Sequence, residues 1–348
     1  MRPKSRETPL LRVENLSIAI SRGKKTFTAV DGIGFSLREG EILGIVGESG
    51  CGKSLTALSI PGLLPSAARV SSGSISFDGR DLRSLSEQEY CLLRGKEIAM
   101  VFQEPALSLN PLMRIGRQIE EMLELHGSKD KKINRNRIVE IMENLGLREG
   151  EELIRSYPHQ LSGGMCQRVM IALAMIGNPR LLIADEPTTA LDLTTQAQIL
   201  DLMRELNHKR GNAILFISHD LGVIRRLCRR VLVMYAGKIV ESGTVEDVFD
   251  NPLHEYTKSL IDSIPCRERK GLPLANIPGR VPSVEERLPG CPFAPRCGKA
   301  REDCCAAFPA ERVFNGKQDE CAAHQVYCIQ RYGETENNAS EERGRGGL

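Results

Sequence analysis

The apolar positions of this chain change their period several times along its length. Leu11-Arg12-Val13-Glu14-Asn15-Leu16-Ser17-Ile18-Ala19-Ile20 partly alternates apolar and polar residues, as does Gly32-Ile33-Gly34-Phe35-Ser36-Leu37, so both predict strands. Ile42-Leu43-Gly44-Ile45-Val46 is a continuous apolar run and predicts a buried strand. The segments 72–79 and 97–102 predict two more short strands. Between 112 and 160 the spacing lengthens. Ile115, Ile119, Met122, Leu123 and Leu125 fall at helical intervals, a charged stretch (Lys129-Asp130-Lys131-Lys132) interrupts, and Ile138, Ile141, Met142 and Leu145 resume the pattern before Gly146. The strand pattern returns at Leu181-Leu182-Ile183-Ala184 and Ala213-Ile214-Leu215-Phe216-Ile217-Ser218. Two further runs, 231–234 and 238–240, frame a hairpin-like Ala236-Gly237 turn. The order predicts an α/β fold with a helical insertion. After about residue 250 the pattern weakens, 271–290 reads as a Pro- and Gly-rich connector, and the polar, Gly-rich 333–348 predicts disorder.

The ends of these strands carry the candidate chemistry. The buried strand 42–46 runs into Gly47-Glu48-Ser49-Gly50-Cys51-Gly52-Lys53-Ser54, a G-x-x-x-x-G-K-S sequence, and Leu55-Thr56-Ala57-Leu58 can open a helix behind it. Strand, Gly-rich turn and helix in that order make a phosphate-binding loop. Glycines let successive N–H groups point inward at phosphate oxygens, and the helix N-terminus adds partial positive charge. Lys53 can reach the β- and γ-phosphates, and the Ser54 hydroxyl can ligate Mg²⁺. Gln103 ends one core strand, Asp185-Glu186 another, and His219 a third. Ligands of open α/β sheets bind beyond such strand ends, so the three can converge on one crevice. Adjacent carboxylates on an extended chain point to opposite sides, so one can hold Mg²⁺ while the other faces an attacking water. Leu161-Ser162-Gly163-Gly164 opens an apolar helix whose free N–H groups suit an anion. Phe27 lies upstream, where an aromatic ring could stack on adenine or simply pack in a turn.

Composition narrows the class. The 348 residues are 41% apolar and 26% charged, ordinary for a soluble globular protein, and the net charge of +2 gives no support for a nucleic-acid partner. No run approaches the length of a membrane helix, and the N-terminus lacks the apolar segment of a signal peptide, so a cytosolic location is expected. Of the 11 cysteines, Cys291, Cys297, Cys304, Cys305, Cys321 and Cys328 crowd into one short region. In a reducing compartment that crowding points to metal more than to disulfides. Cys291, Cys297, Cys304 and Cys321 are the candidate thiolates, with Cys305 and Cys328 as spares. Four thiolates suit Zn²⁺ or an iron–sulfur cluster, although two C-x-x-C knuckles are lacking. Free thiols are the third possibility.

The phosphate loop, Gln103, Leu161-Ser162-Gly163-Gly164, 181–186 and His219, in that order, resemble the ATP-binding subunit of an ABC transporter over about residues 9–250. Val101-Phe102-Gln103-Glu104-Pro105-Ala106-Leu107-Ser108-Leu109-Asn110-Pro111, Ser156-Tyr157-Pro158-His159-Gln160 and Asn251-Pro252-Leu253-His254-Glu255-Tyr256-Thr257 resemble the oligopeptide/dipeptide/nickel importer branch. So do Ile277-Pro278-Gly279-Arg280-Val281-Pro282 and Gly290-Cys291-Pro292-Phe293-Ala294-Pro295-Arg296-Cys297. Cys166 departs from the pattern, which commonly has Arg there.

The resemblance implies a P-loop NTPase (RecA-like) core with an antiparallel β subdomain and a helical signature subdomain at about 104–165, all within 1–250. An irregular Cys-rich extension would follow over 251–330, then a tail over 331–348. It implies ATP hydrolysis with Ser54, Asp185 and Gln103 at Mg²⁺. Glu186 would polarise water, and His219 would contact the γ-phosphate. Ser162, Gly163 and Gly164 would cap a nucleotide held by a second ATPase subunit, paralogue or self. It further implies two permease subunits, an extracytoplasmic solute-binding protein and a place on the cytoplasmic face of the membrane. Peptide import is the expected function. Nickel or metal-chelate import is the alternative, and a non-transport ABC ATPase is the alternative of another class. Some similar subunits carry a [4Fe–4S] cluster, and the x5 and x6 gaps of the cysteines look like theirs.

Overall fold

The computed structural model describes residues 8–147, 150–189, 191–264, 277–287, 289–314 and 323–328. Strands β3 (Ile42–Val46), β6 (Ile98–Val101), β7 (Leu181–Asp185), β8 (Ala213–Ser218), β9 (Arg230–Tyr235) and β10 (Lys238–Thr244) form most of one sheet. Its order is β11-β12-β10-β9-β3-β8-β7-β6, with β11 (Arg312–Phe314) and β12 (His324–Val326) at one edge. The links β9–β3, β3–β8, β8–β7 and β7–β6 are parallel, which explains why β3 is apolar throughout, why β7 and β8 are apolar up to their last residues, Asp185 and Ser218, and why all three are buried at every position. Helices Lys53–Ser59, Gly163–Met175, Leu193–Arg210 and Leu221–Leu227 accompany this sheet. Asp192 and Asp220 cap two of them, each accepting two backbone N–H groups.

A second sheet, β2-β1-β4-β5, is antiparallel: β1 (Leu11–Arg22), β2 (Lys25–Leu37), β4 (Ala68–Phe77) and β5 (Arg80–Asp81). The alternation in 11–20 and 32–37 marked its buried faces. The strand character of 25–31, with four exposed or half-exposed residues at 25–28, carried no such pattern. The expected helical insertion is present as Ile115–Leu125 and Lys131–Asn144. The charged interruption has a local cause, because Asp130 caps the second helix by accepting from Lys132 N and Ile133 N. Gly146 follows in the left-handed region at φ 72°.

The described residues of the C-terminal extension are mostly irregular, yet β12 pairs antiparallel with β10 and so continues the core sheet. Behind that edge Glu241 is fully buried. It accepts the N–H groups of Leu253 and His254 at 2.8 Å each, and His324 Nε2 lies 2.7 Å from it. Cys266, Cys321, part of the connector (271–276 and 288) and the tail 331–348 lie outside the described residues. No helix among the described residues is long and apolar enough to cross a membrane.

Candidate functional site

The loop 47–54 leaves β3 and turns into the helix Lys53–Ser59. Gly47 is required by close approach, since a Cβ there would meet the Met234 carbonyl oxygen. Gly52 is required by its backbone, at φ 107°. The end of β9 backs the loop, with Gly237 N donating to Cys51 O at 2.8 Å. Lys53 is buried, and its Nζ donates to Gly47 O at 2.7 Å and Glu48 O at 3.1 Å. A buried ammonium held over the loop's first carbonyls is placed where phosphate oxygens can take over as its partners. Phe27 stands half-exposed on β2, two residues before Ala29, whose carbonyl borders Gly52.

The two carboxylates at the end of β7 take different partners, with Asp185 on the extended strand and Glu186 already in the turn beyond it. Asp185 is buried, and Ser54 Oγ donates to its Oδ1 at 3.1 Å. Burial pushes the Asp185 carboxyl up, against the Ser54 hydrogen bond, while Glu186 adds to the rise and Lys53 opposes it. Glu186 takes a positive φ of 47°, uncommon for a residue with a side chain, and its N–H donates to Ile217 O at 3.0 Å. That turn aims its carboxylate off the sheet. Gln103 Nε2 donates to Glu186 Oε2 at 3.2 Å, Thr189 Oγ1 donates to it at 3.0 Å, and His219 Nδ1 lies 3.0 Å from it. The ends of β6, β7 and β8 therefore bring Gln103, Glu186 and His219 together, beside the Ser54–Asp185 pair. Thr189 belongs to the same group, and nothing in its Pro-Thr-Thr context had marked it out.

Ser162 caps the helix Gly163–Met175 by accepting from Met165 N at 3.3 Å, so its glycines form the exposed first turn. Ser162, Gly164, Met165, Arg168 and Thr195 line an open groove of about 390 Å³. No residue of 47–54 lines that groove. The departing Cys166 points inward, its Sγ 3.6 Å from Pro158 O.

In the extension, Cys291, Cys297, Cys304 and Cys328 line one small apolar cavity together with His254, Phe293 and Ala294. Cys328 was expected to be a spare and lines the cavity with the other three, while Cys305 is exposed. Cys321, expected as the fourth thiolate, lies outside the described residues. Among the described residues, no three His, Cys, Asp or Glu side chains are grouped so as to hold a metal ion. Burial pushes the Cys291 thiol up to about 12, against the N–H groups of Phe293 and Ala294 that favour its thiolate. Arg301 N donates to Cys304 Sγ at 3.4 Å. Burial also drives His254 down to about 4, so it faces the cavity neutral, with Nε2 3.8 Å from Cys291 Sγ.

The ABC transporter family profile matches residues 30–189, and the profile described as the oligopeptide/dipeptide transporter C-terminal region matches residues 240–304. The chain is 49% identical over 302 residues to the oligopeptide transport ATP-binding protein AppD of Bacillus subtilis, covering 86% of this chain and 92% of that protein. It is 45% identical over 312 residues to the oligopeptide transport ATP-binding protein OppD of Escherichia coli, covering 90% of this chain and 92% of that protein. Among solved structures it resembles the dimeric, post-hydrolysis ATP-binding cassette MJ0796 bound to ADP and Pi. There the TM-score is 0.62 and the identity 29%, over 68% of this chain and 98% of that one.

Proposed function

The chain belongs to the ABC transporter ATP-binding family, in its oligopeptide and dipeptide branch, and from that premise we propose that it hydrolyses ATP to power peptide import. The observation that carries the chemistry is the convergence of Gln103, Thr189 and His219 on one Glu186 oxygen, beside Ser54 and Asp185. The loop N–H groups and Lys53 hold the phosphates. Ser54 and Asp185, with Gln103, offer the hard oxygen ligands that Mg²⁺ prefers, and the ion would offset charge on the phosphoryl oxygens. Glu186 orients and deprotonates the attacking water, and His219 holds the Glu186 carboxylate and contacts the γ-phosphate. Positioning and charge stabilisation supply most of the rate.

The exposed turn Ser162-Gly163-Gly164, opening onto a groove that no residue of 47–54 lines, supports a head-to-tail pair of ATPase subunits with nucleotide between them. Phe102, Leu107 and Leu112 are exposed around Gln103 and the start of the helical insertion. Their position supports docking of two permease subunits there, with the chain held peripherally at the membrane and a solute-binding protein delivering the peptide. Co-reconstitution with candidate permeases in vesicles tests this reading. Peptide-stimulated ATPase activity and peptide uptake are expected, and nickel uptake without peptide uptake would overturn the substrate class.

We further propose that Cys291, Cys297, Cys304 and Cys328 hold a [4Fe–4S] cluster. Four thiols facing one enclosed space, with backbone N–H groups turned to three of the sulfurs, are a donor set suited to such a cluster. A cluster, unlike a single tetrahedral Zn²⁺, does not need the four sulfurs drawn to one point. Anaerobically purified protein should be brown, and Cys328→Ser should lower its iron content. Colourless protein with stoichiometric zinc would overturn the cluster. Full iron in Cys328→Ser would return the fourth place to Cys321.

A further inference from the structure

Glu48, the second residue of the phosphate loop, is gripped by the C-terminal extension. Its carboxylate accepts from Arg296 Nη1 at 2.6 Å and Nη2 at 3.3 Å, and its backbone N–H donates to the Tyr256 hydroxyl at 2.9 Å. Lys53 holds its carbonyl from the other side. The Arg296 side chain is only 7% exposed. Nη1 also donates to Tyr235 Oη at 3.2 Å, Nε to Pro278 O at 2.8 Å and Nη2 to Ile277 O at 3.1 Å, so every nitrogen of the guanidinium is committed. Tyr256 is fully buried, in an aromatic cluster with Tyr235 at the end of β9 and Phe293 of the extension.

A carboxylate in a loop that must receive a triphosphate is an electrostatic liability, because like charges a few ångströms apart in a partly desolvated site repel strongly. Arg296 removes that liability and fixes the direction of the side chain. We propose that Arg296, with Tyr256, is a positioning residue of the ATP site: the extension neutralises Glu48 and presets the loop for phosphate. The extension is then a working part of nucleotide binding, whatever the cysteine cavity beside Arg296 holds. The inference rests on the loop being the ATP site, which Lys53→Ala tests separately.

The experiment is ATP binding by the full-length chain, with steady-state ATPase activity of the assembled transporter. Arg296→Met keeps the aliphatic stem and should weaken ATP on the order of ten-fold, the scale of one lost charge-assisted interaction. It should raise KM while changing kcat at saturating ATP by less than about two-fold. Arg296→Lys should recover part of the loss. The decisive variant is Arg296→Met combined with Glu48→Gln, which removes the unpaired carboxylate and should restore most of the affinity. A purely structural role predicts a double variant at least as weak as the single one, and that result would overturn the proposal. Unchanged affinity in Arg296→Met would do the same. Tyr256→Phe, which preserves packing, gives an independent reading: a few-fold rise in KM is expected, and no change would remove Tyr256 from the device.

Discussion

Glu186→Gln should bind ATP and hydrolyse it about 10²–10⁴ times more slowly, a rise of about 3–5 kcal/mol in the barrier. The substitution keeps the shape of the side chain and the backbone that aims it, but removes the proton acceptor. The geometry explains why no neighbour can replace it. Gln103 and Thr189 both spend a donor on the same Glu186 oxygen, and neither is a base at neutral pH. His219 touches the same oxygen from an exposed position, so it orients the carboxylate more than it substitutes for it. Asp185 is turned to Ser54 and occupied there. The measurement is kcat with the partner subunits present, together with the lifetime of bound ATP. A long-lived ATP complex with low kcat is expected, and turnover at the normal rate would remove Glu186 from the role.

The parts of this site that were legible in the sequence are those governed by local chemistry. A continuous apolar run ending in a Gly-rich turn with Lys-Ser can be read without knowing the fold, because strand, loop and helix follow one another directly. Gln103, Glu186 and His219 were readable as strand ends, and the rule that ligands bind beyond such ends supplied their convergence. What the chain hid is contact between distant segments. Tyr256 and Arg296 stand 208 and 248 residues from Glu48, and their own motifs mark them only as conventional parts of the extension. The place of Cys328 at the cavity was hidden for a related reason: spacing counts residues along the chain, whereas β12 doubles back onto β10 and carries the residues after it to the cavity. The exposed half of β2 was missed because edge positions facing water have no apolar alternation to report.

Lys53→Ala should weaken ATP binding by about 10- to 100-fold, the 1.5–3 kcal/mol expected of hydrogen bonds to charged groups. Two losses combine. The triphosphate loses the Lys side chain held over the loop's carbonyls, and the Gly47 and Glu48 carbonyls lose the donor that ties the loop's first turn to its helix. Alanine is a good helix former, so the helix Lys53–Ser59 should survive and the effect should stay local. Lys53→Arg should fail to rescue, because a planar guanidinium is wider than the slot that an ammonium fills between two carbonyls. Titration of ATP into the full-length variants checks both. Wild-type affinity in Lys53→Ala would remove the ammonium from the phosphate cradle. Wild-type affinity in Lys53→Arg would mean that charge alone is needed there. The two variants together therefore separate charge from fit. If fit matters, the glycine at 47 and the clamp on Glu48 serve the same end, which is to hold the carbonyls at the distance one ammonium can bridge.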